Sequence, residues 1–178
     1  SSNFVPYSRI NADPAECYSI ARGSDGRIGI AYKIDDARFP TEVGDVYFTE
    51  STNFGSNFNT PVKIFDANLN TDSLGNLRGI SMVYKGNTPC VVFETIKQTT
   101  SGTFFPASPS KIRFWSPAVN SGNSLIIADE NNVPFAPARG TVDVEGPICR
   151  PSIGASADGN FLFCSMMVQN SATGGFDT

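Results

Sequence analysis

The chain has 178 residues, 13 Lys and Arg against 17 Asp and Glu, a formal charge of −4 and no histidine. That length suits one core, and the missing imidazole excludes a His general base, a Ser-His triad and His-ligated metal. The scattered basic residues exclude the clustered footprint of nucleic-acid binding, and no apolar run approaches the roughly 18–20 residues of a membrane helix.

Sixteen Gly, twelve Pro and fourteen Phe, with few helix-favouring residues, predict an all-β chain of short strands and turns. Residues 1–16, with Val5-Pro6-Tyr7 and Arg9, lead into a first unit at about 17–66. Its strands are predicted at Tyr18–Ala21, Arg27–Ile34, Asp45–Glu50 and Pro61–Phe65. Gly23-Ser24-Asp25-Gly26 forms the first turn, and Ile28, Ile30 and Tyr32 share one period-2 face. An Asp- and Pro-rich loop, Asp35 to Glu42, precedes the third strand.

The second unit, about 78–128, repeats this order. Gly79–Tyr84 and Cys90–Glu94 flank Lys85-Gly86-Asn87. A long loop from Lys97 to Ser110 carries Phe104-Phe105-Pro106, and Lys111–Trp115 and Ser124–Ala128 follow. Trp115 reads as packing. Val133-Pro134-Phe135 and Arg139 echo the segment before Cys17. The third unit, 149–178, has Pro151–Ala155, the turn Ser156–Gly159, Phe161–Val168 and a loop from Gln169 to Gly175. It stops at Phe176-Asp177-Thr178, where a third strand is due.

Three segments align: CYSIARGSDGRIGIAY from Cys17, RGISMVYKGNTPCVVF from Arg78, and CRPSIGASADGNFLFC from Cys149, at a step of roughly 66 residues. Each is strand, polar turn, strand. Repeated four-stranded antiparallel units of this kind predict a β-propeller. Propellers close with about 4–8 blades, and about two and a half are present. The expected partners are therefore the remaining blades of a longer chain, or other subunits, with glycans or surface proteins as ligands. Cys17, Cys90, Cys149 and Cys164 allow three pairings. A local Cys149–Cys164 disulfide across the third hairpin is one reading, and buried thiols at Cys90 and Cys164 are the other. The acidic, Lys-poor composition predicts an exported protein, extracellular or at the cell surface. The chain opens at Ser1 without a signal peptide, which fits a mature end left by cleavage or a cut boundary.

Between the third and fourth strands of unit one lies Ser51-Thr52-Asn53-Phe54-Gly55-Ser56-Asn57-Phe58. It resembles the Asp-box, or BNR motif, S-x-D-x-G-x-T-W. Ser51 and Gly55 match, while Asn53, Asn57 and Phe58 replace Asp, Thr and Trp. Asn120-Ser121-Gly122 keeps the core of the motif in unit two. The chain thus resembles the sialidase-like propeller superfamily. The resemblance implies a folding role for Ser51, Asn53, Gly55, Asn57 and Phe58 on the outer side of the propeller. Enzymes of that family use an arginine triad, a Tyr/Glu nucleophile pair and an Asp acid/base, with Arg-Ile-Pro near the first blade. Arg9-Ile10-Asn11 lacks it. Arg78 and Arg150, at the openings of inner strands, are the ligand-binding candidates, because paired guanidinium groups grip a carboxylate or sulfate by forked bonds. Strand-end capping is their structural alternative. Glu94 and Tyr32 are further candidates, and no catalytic pair can be nominated.

Asp35-Asp36 and Asp129-Glu130-Asn131-Asn132 are oxygen-rich turns that suit calcium at most. No other cofactor is expected. The leading functional reading is an exported, non-catalytic propeller module for binding, adhesion or assembly. The alternatives are a fragment of a sialidase-like glycoside hydrolase and a short lectin-like subunit that completes its ring by oligomerisation.

Overall fold

The computed structural model describes residues 17–35, 43–67, 74–97, 109–133, 147–170 and 176–177. The loop aromatics Phe104 and Phe105, Asp36, the segments 1–16 and 134–146, and residues 171–175 lie outside the described residues.

The described chain is all-β apart from one 3-10 turn, Asn120–Gly122. The first sheet runs β1 (Tyr18–Arg22), β2 (Ile28–Asp35), β3 (Gly44–Ser51) and β4 (Val62–Phe65), each antiparallel to the next. The second contains β5 (Leu74–Gly75), β6 (Ile80–Lys85), β7 (Thr88–Lys97), β8 (Ser110–Trp115) and β9 (Leu125–Ala128). The third has β10 (Ile148–Ala155), β11 (Leu162–Gln169) and β12 (Phe176–Asp177). Four-stranded meanders whose first strands meet are propeller blades, and here β1 lies beside β6 and β6 beside β10. The array is open, with one complete blade, one blade that gains an extra strand, and part of a third.

Local chemistry explains the hairpins. In the first turn Gly26 takes φ 89°, a left-handed conformation that glycine adopts without a Cβ clash. Asp25 Oδ1 accepts the Arg27 N–H at 3.1 Å, an Asx-type contact that fixes the reversal. The ladder then pairs Tyr18 with Tyr32 and Ile20 with Ile30, so these four share one face.

Strand β7 outruns the predicted Cys90–Glu94 at both ends. Its centre is buried on both faces. Val91 and Phe93 pack toward sheet one with Ala31, Phe48, Met82 and Trp115. Val92 packs toward sheet three with Ile112, Ile148 and Val168. A strand covered on both sides loses apolar–polar alternation, so its ends carry no period-2 signal. Strand β5 was not expected. It pairs with the far end of β7 at Leu74–Lys97 and Gly75–Ile96, beyond the reach of β6. Trp115, 5% exposed, packs in the first core and donates Nε1–H to Gly122 O at 2.9 Å.

The expected Cys149–Cys164 bridge is not formed, and none of the four cysteines is in a disulfide. Cys164 lies opposite Ile153, and Cys149, beyond a register shift between Cys149 and Ser152, lies opposite Met167. Three residues of strand, about 10 Å, separate Cys164 from the position facing Cys149, well beyond disulfide reach. Cys149 is buried, and burial pushes the Cys164 thiol up from its ordinary pKa.

Candidate functional site

The inner strands begin at one end of the blades and turn at the other. The opening end gathers the two arginine candidates. Arg78 stands just before β6, and Arg150 lies in the bulge of β10 with φ 48°. Between them is Glu94 of β7, 5% exposed. Its Oε1 accepts the Arg78 N–H at 3.1 Å, and its Oε2 accepts the Arg150 N–H at 2.8 Å. The two amides are therefore separated by no more than one carboxylate and two hydrogen bonds. Both arginines are exposed. The structure thus brings Arg78, Arg150 and Glu94 together.

This cluster is braced from below. Glu94 N–H bonds Gly79 O at 3.1 Å. Asn76, fully buried, donates Nδ2–H to Arg78 O at 2.7 Å and to Glu94 O at 2.6 Å. Gly79 takes φ 48°, and a Cβ there would sit 2.7 Å from Glu94 Oε2 and 2.9 Å from Pro151 Cδ. The close approach of β6, β7 and β10 therefore requires glycine at this point.

Tyr32, the other inner-strand candidate, is not part of the cluster. It is buried on the opposite face of sheet one, stacked on Tyr47 at 5.9 Å, and burial raises its pKa. Lys33 holds the place in β2 that Glu94 holds in β7. Its N–H closes the first hairpin on Cys17 O, as Glu94 closes the second on Gly79 O and Gln169 closes the third on Pro147 O. Lys33 is 1% exposed with Nζ 2.8 Å from Asp35 Oδ1. The sequence signal for this layer was a polar residue closing each apolar second strand.

The turn end is arranged differently. Arg27 donates to both oxygens of Asp25, at 3.0 and 2.7 Å, and Nη1 lies 3.3 Å from Glu50 Oε2. The hydrogen bonds from Arg27 lower the Asp25 pKa, and the bond to Asp25 raises that of Arg27. Tyr84 Oη–H donates to Glu50 Oε1 at 2.6 Å; burial first, then this bond, raises the phenol pKa. An open cleft of about 630 Å³ lies alongside, lined by Phe48, Val62, Pro89 and Trp115 as well as Arg27 and Glu50. Its charged groups already answer one another.

The Ser51–Phe58 turn lies beside this end, where β2 starts opposite Ser51. Ser51 Oγ–H donates to Asn53 Oδ1 at 2.8 Å and accepts the Gly55 N–H at 2.9 Å. Asn53 Oδ1 also accepts the Asn57 N–H at 2.9 Å. Gly55 has φ 87°, and Phe54, 72% exposed, places its ring against Gly26. Phe58 is half-buried. In the acidic turn at 129–132, Asn132 Oδ1 accepts the Asp129 N–H and Asp129 Oδ1 accepts the Asn131 N–H, both at 2.8 Å. Among the described residues no three acidic or cysteine side chains cluster to hold a metal.

No family model matches the sequence, and no curated protein matches it. Among the solved structures similar to this chain is "A mutant of Trypanosoma rangeli sialidase displaying trans-sialidase activity", matched over 89% of this chain and 29% of its own, with a TM-score of 0.46 and 12% identity. The chain spans less than a third of that protein's length.

Proposed function

We propose that the chain is an exported, non-catalytic binding module whose ligand face is the opening end of the inner strands. One observation carries this reading. Glu94, a buried carboxylate of that end, has both oxygens on backbone amides, and those amides belong to the two exposed arginines. An acid so engaged serves as a brace, not as a nucleophile or proton carrier. The braced backbone fixes where the two guanidinium side chains start. Two cationic forks rooted on neighbouring strands suit an anionic group with paired oxygens, a carboxylate or a sulfate. In an exported protein such groups are carried by acidic glycans.

The test uses an array of sialylated, uronate-bearing, sulfated and neutral glycans. Binding confined to acidic glycans, weakened at least tenfold by the Arg78→Ala/Arg150→Ala double variant, supports the reading. Equal binding of neutral glycans contradicts it. So does turnover of a chromogenic sialoside by the same protein, which favours the glycosidase alternative.

A further inference from the structure

Ser19, Ser81 and Ser152 hold the same position in the three inner strands, within Tyr-Ser-Ile, Ile-Ser-Met and Pro-Ser-Ile. Ser19 Oγ accepts the Met82 N–H at 3.1 Å, and Ser81 Oγ accepts the Ile153 N–H at 3.2 Å. In both links the donor directly follows the next strand's serine. One contact is therefore made twice, from sheet one to sheet two and from sheet two to sheet three.

The ladder shows why these amides are available. Antiparallel strands exchange bonds at alternate pairs. Glu94 N–H bonds Gly79 O, so the amide of Met82, opposite Val91, turns away from β7. Lys33 N–H bonds Cys17 O, so the amide of Ile20, opposite Ile30, turns off the free edge of β1 in the same way. At the other end of the array Ile153 and Cys164 face the core shared with sheet two. Ser152, opposite Ser165, is exposed on the far face. Among the described residues the relay thus ends in a donor on sheet one and an acceptor on sheet three that continue it no further.

Apolar side chains flank both ends. Tyr18 and Ile20 are 64% and 57% exposed, and Phe161 and Phe163 are 61% and 62% exposed. Phe163 lies opposite Gly154, two residues from Ser152, on the same face. Single exposed apolar residues are ordinary, but grouped ones mark contact surfaces.

We propose that the exposed surface of sheet three around Ser152 and Phe163 docks on the exposed Tyr18 and Ile20 of β1 in a second copy, with Ser152 Oγ accepting the Ile20 N–H. The relay commits the occupant. It continues an interface that the chain makes twice, and both missing halves are supplied by this same sequence. Complementary halves on opposite sides of one molecule define a head-to-tail contact. Two copies bring six sheets around one axis, within the about 4–8 blades that close a propeller, and closure satisfies both relay ends of each copy.

The experiment measures the mass of the 178-residue chain by light scattering and native mass spectrometry over a dilution series, with amide hydrogen exchange at each point. Two copies at micromolar concentration are expected, with slow exchange at Ile20 that becomes fast on dilution. Phe163→Asp, at an exposed position, is expected to give a folded monomer with an unchanged circular dichroism spectrum. Ile20→Pro removes the donor at a free edge, where proline is tolerated, and is expected to weaken assembly about tenfold. A monomer at every concentration overturns the proposal. An assembly that survives Phe163→Asp with fast exchange at Ile20 also overturns it.

Discussion

At the turn end Arg27 lies between Asp25 and Glu50, with Tyr84 closing the far side of Glu50. At the opening end Arg78 and Arg150 give their amides to Glu94 while the residues themselves are exposed. The same residue types are used in two ways. At the turns a guanidinium is held by side-chain carboxylates, so its charge is answered within the protein. At the openings the carboxylate binds backbone, so cationic side chains project from a fixed base. The first arrangement stabilises a hairpin junction, and the second sets two exposed arginines on a braced stretch of backbone.

Breaking the opening end gives the largest effect. Glu94→Ala leaves two part-buried amides without their acceptor and is expected to destabilise by about 2–4 kcal/mol in urea denaturation. Gly79→Ala adds a Cβ at φ 48° against Glu94 and Pro151 and costs about 1–2 kcal/mol by the same measurement.

The turn end responds less, and through pH. Tyr84→Phe removes the bond to Glu50 and costs about 1–2 kcal/mol near neutral pH. The Tyr84 pKa is raised from 10.0 in the folded state, so the fold holds that proton longer than the unfolded chain does. This contribution is complete below about pH 10 and is lost as pH rises further. The wild-type melting temperature should therefore fall above pH 10 more steeply than that of Tyr84→Phe. Asp158 gives the smallest effect. The Ser156 hydroxyl, then the Asn160 amide, hold its pKa at about 2 against 3.8. Its contribution is present above 3.8 and is lost as pH falls toward 2, a slope that Asp158→Asn should flatten in acid melting curves.

Much of this architecture is legible in the sequence because hairpins are local. Alternation in Ile28–Tyr32 and the Gly-Asp turns mark strand and reversal within a few residues. Strand β5 is two residues long and is defined only by its pairing with β7, so no local pattern announces it. The disulfide expectation fails for a related reason: the turn sets the register at Ala155 opposite Leu162, which leaves Cys164 facing Ile153, and flanking a turn does not establish opposition. Within the site, the repeat places Arg78 and Arg150 at equivalent openings. That Glu94 joins them is a fact of sheet stacking, which no single hairpin encodes. The serines of the inner strands likewise read as ordinary strand residues until β1, β6 and β10 lie side by side.

The contrast between the two ends is tested most directly by amide chemical-shift mapping during titration with a sialic acid methyl glycoside and, separately, a sulfated disaccharide. The account predicts saturable shifts at the Arg78, Gly79 and Arg150 amides with either ligand, and unshifted amides at Asp25, Arg27 and Asp158. Shifts centred on the turn end, or none at the opening end with either ligand, would contradict it.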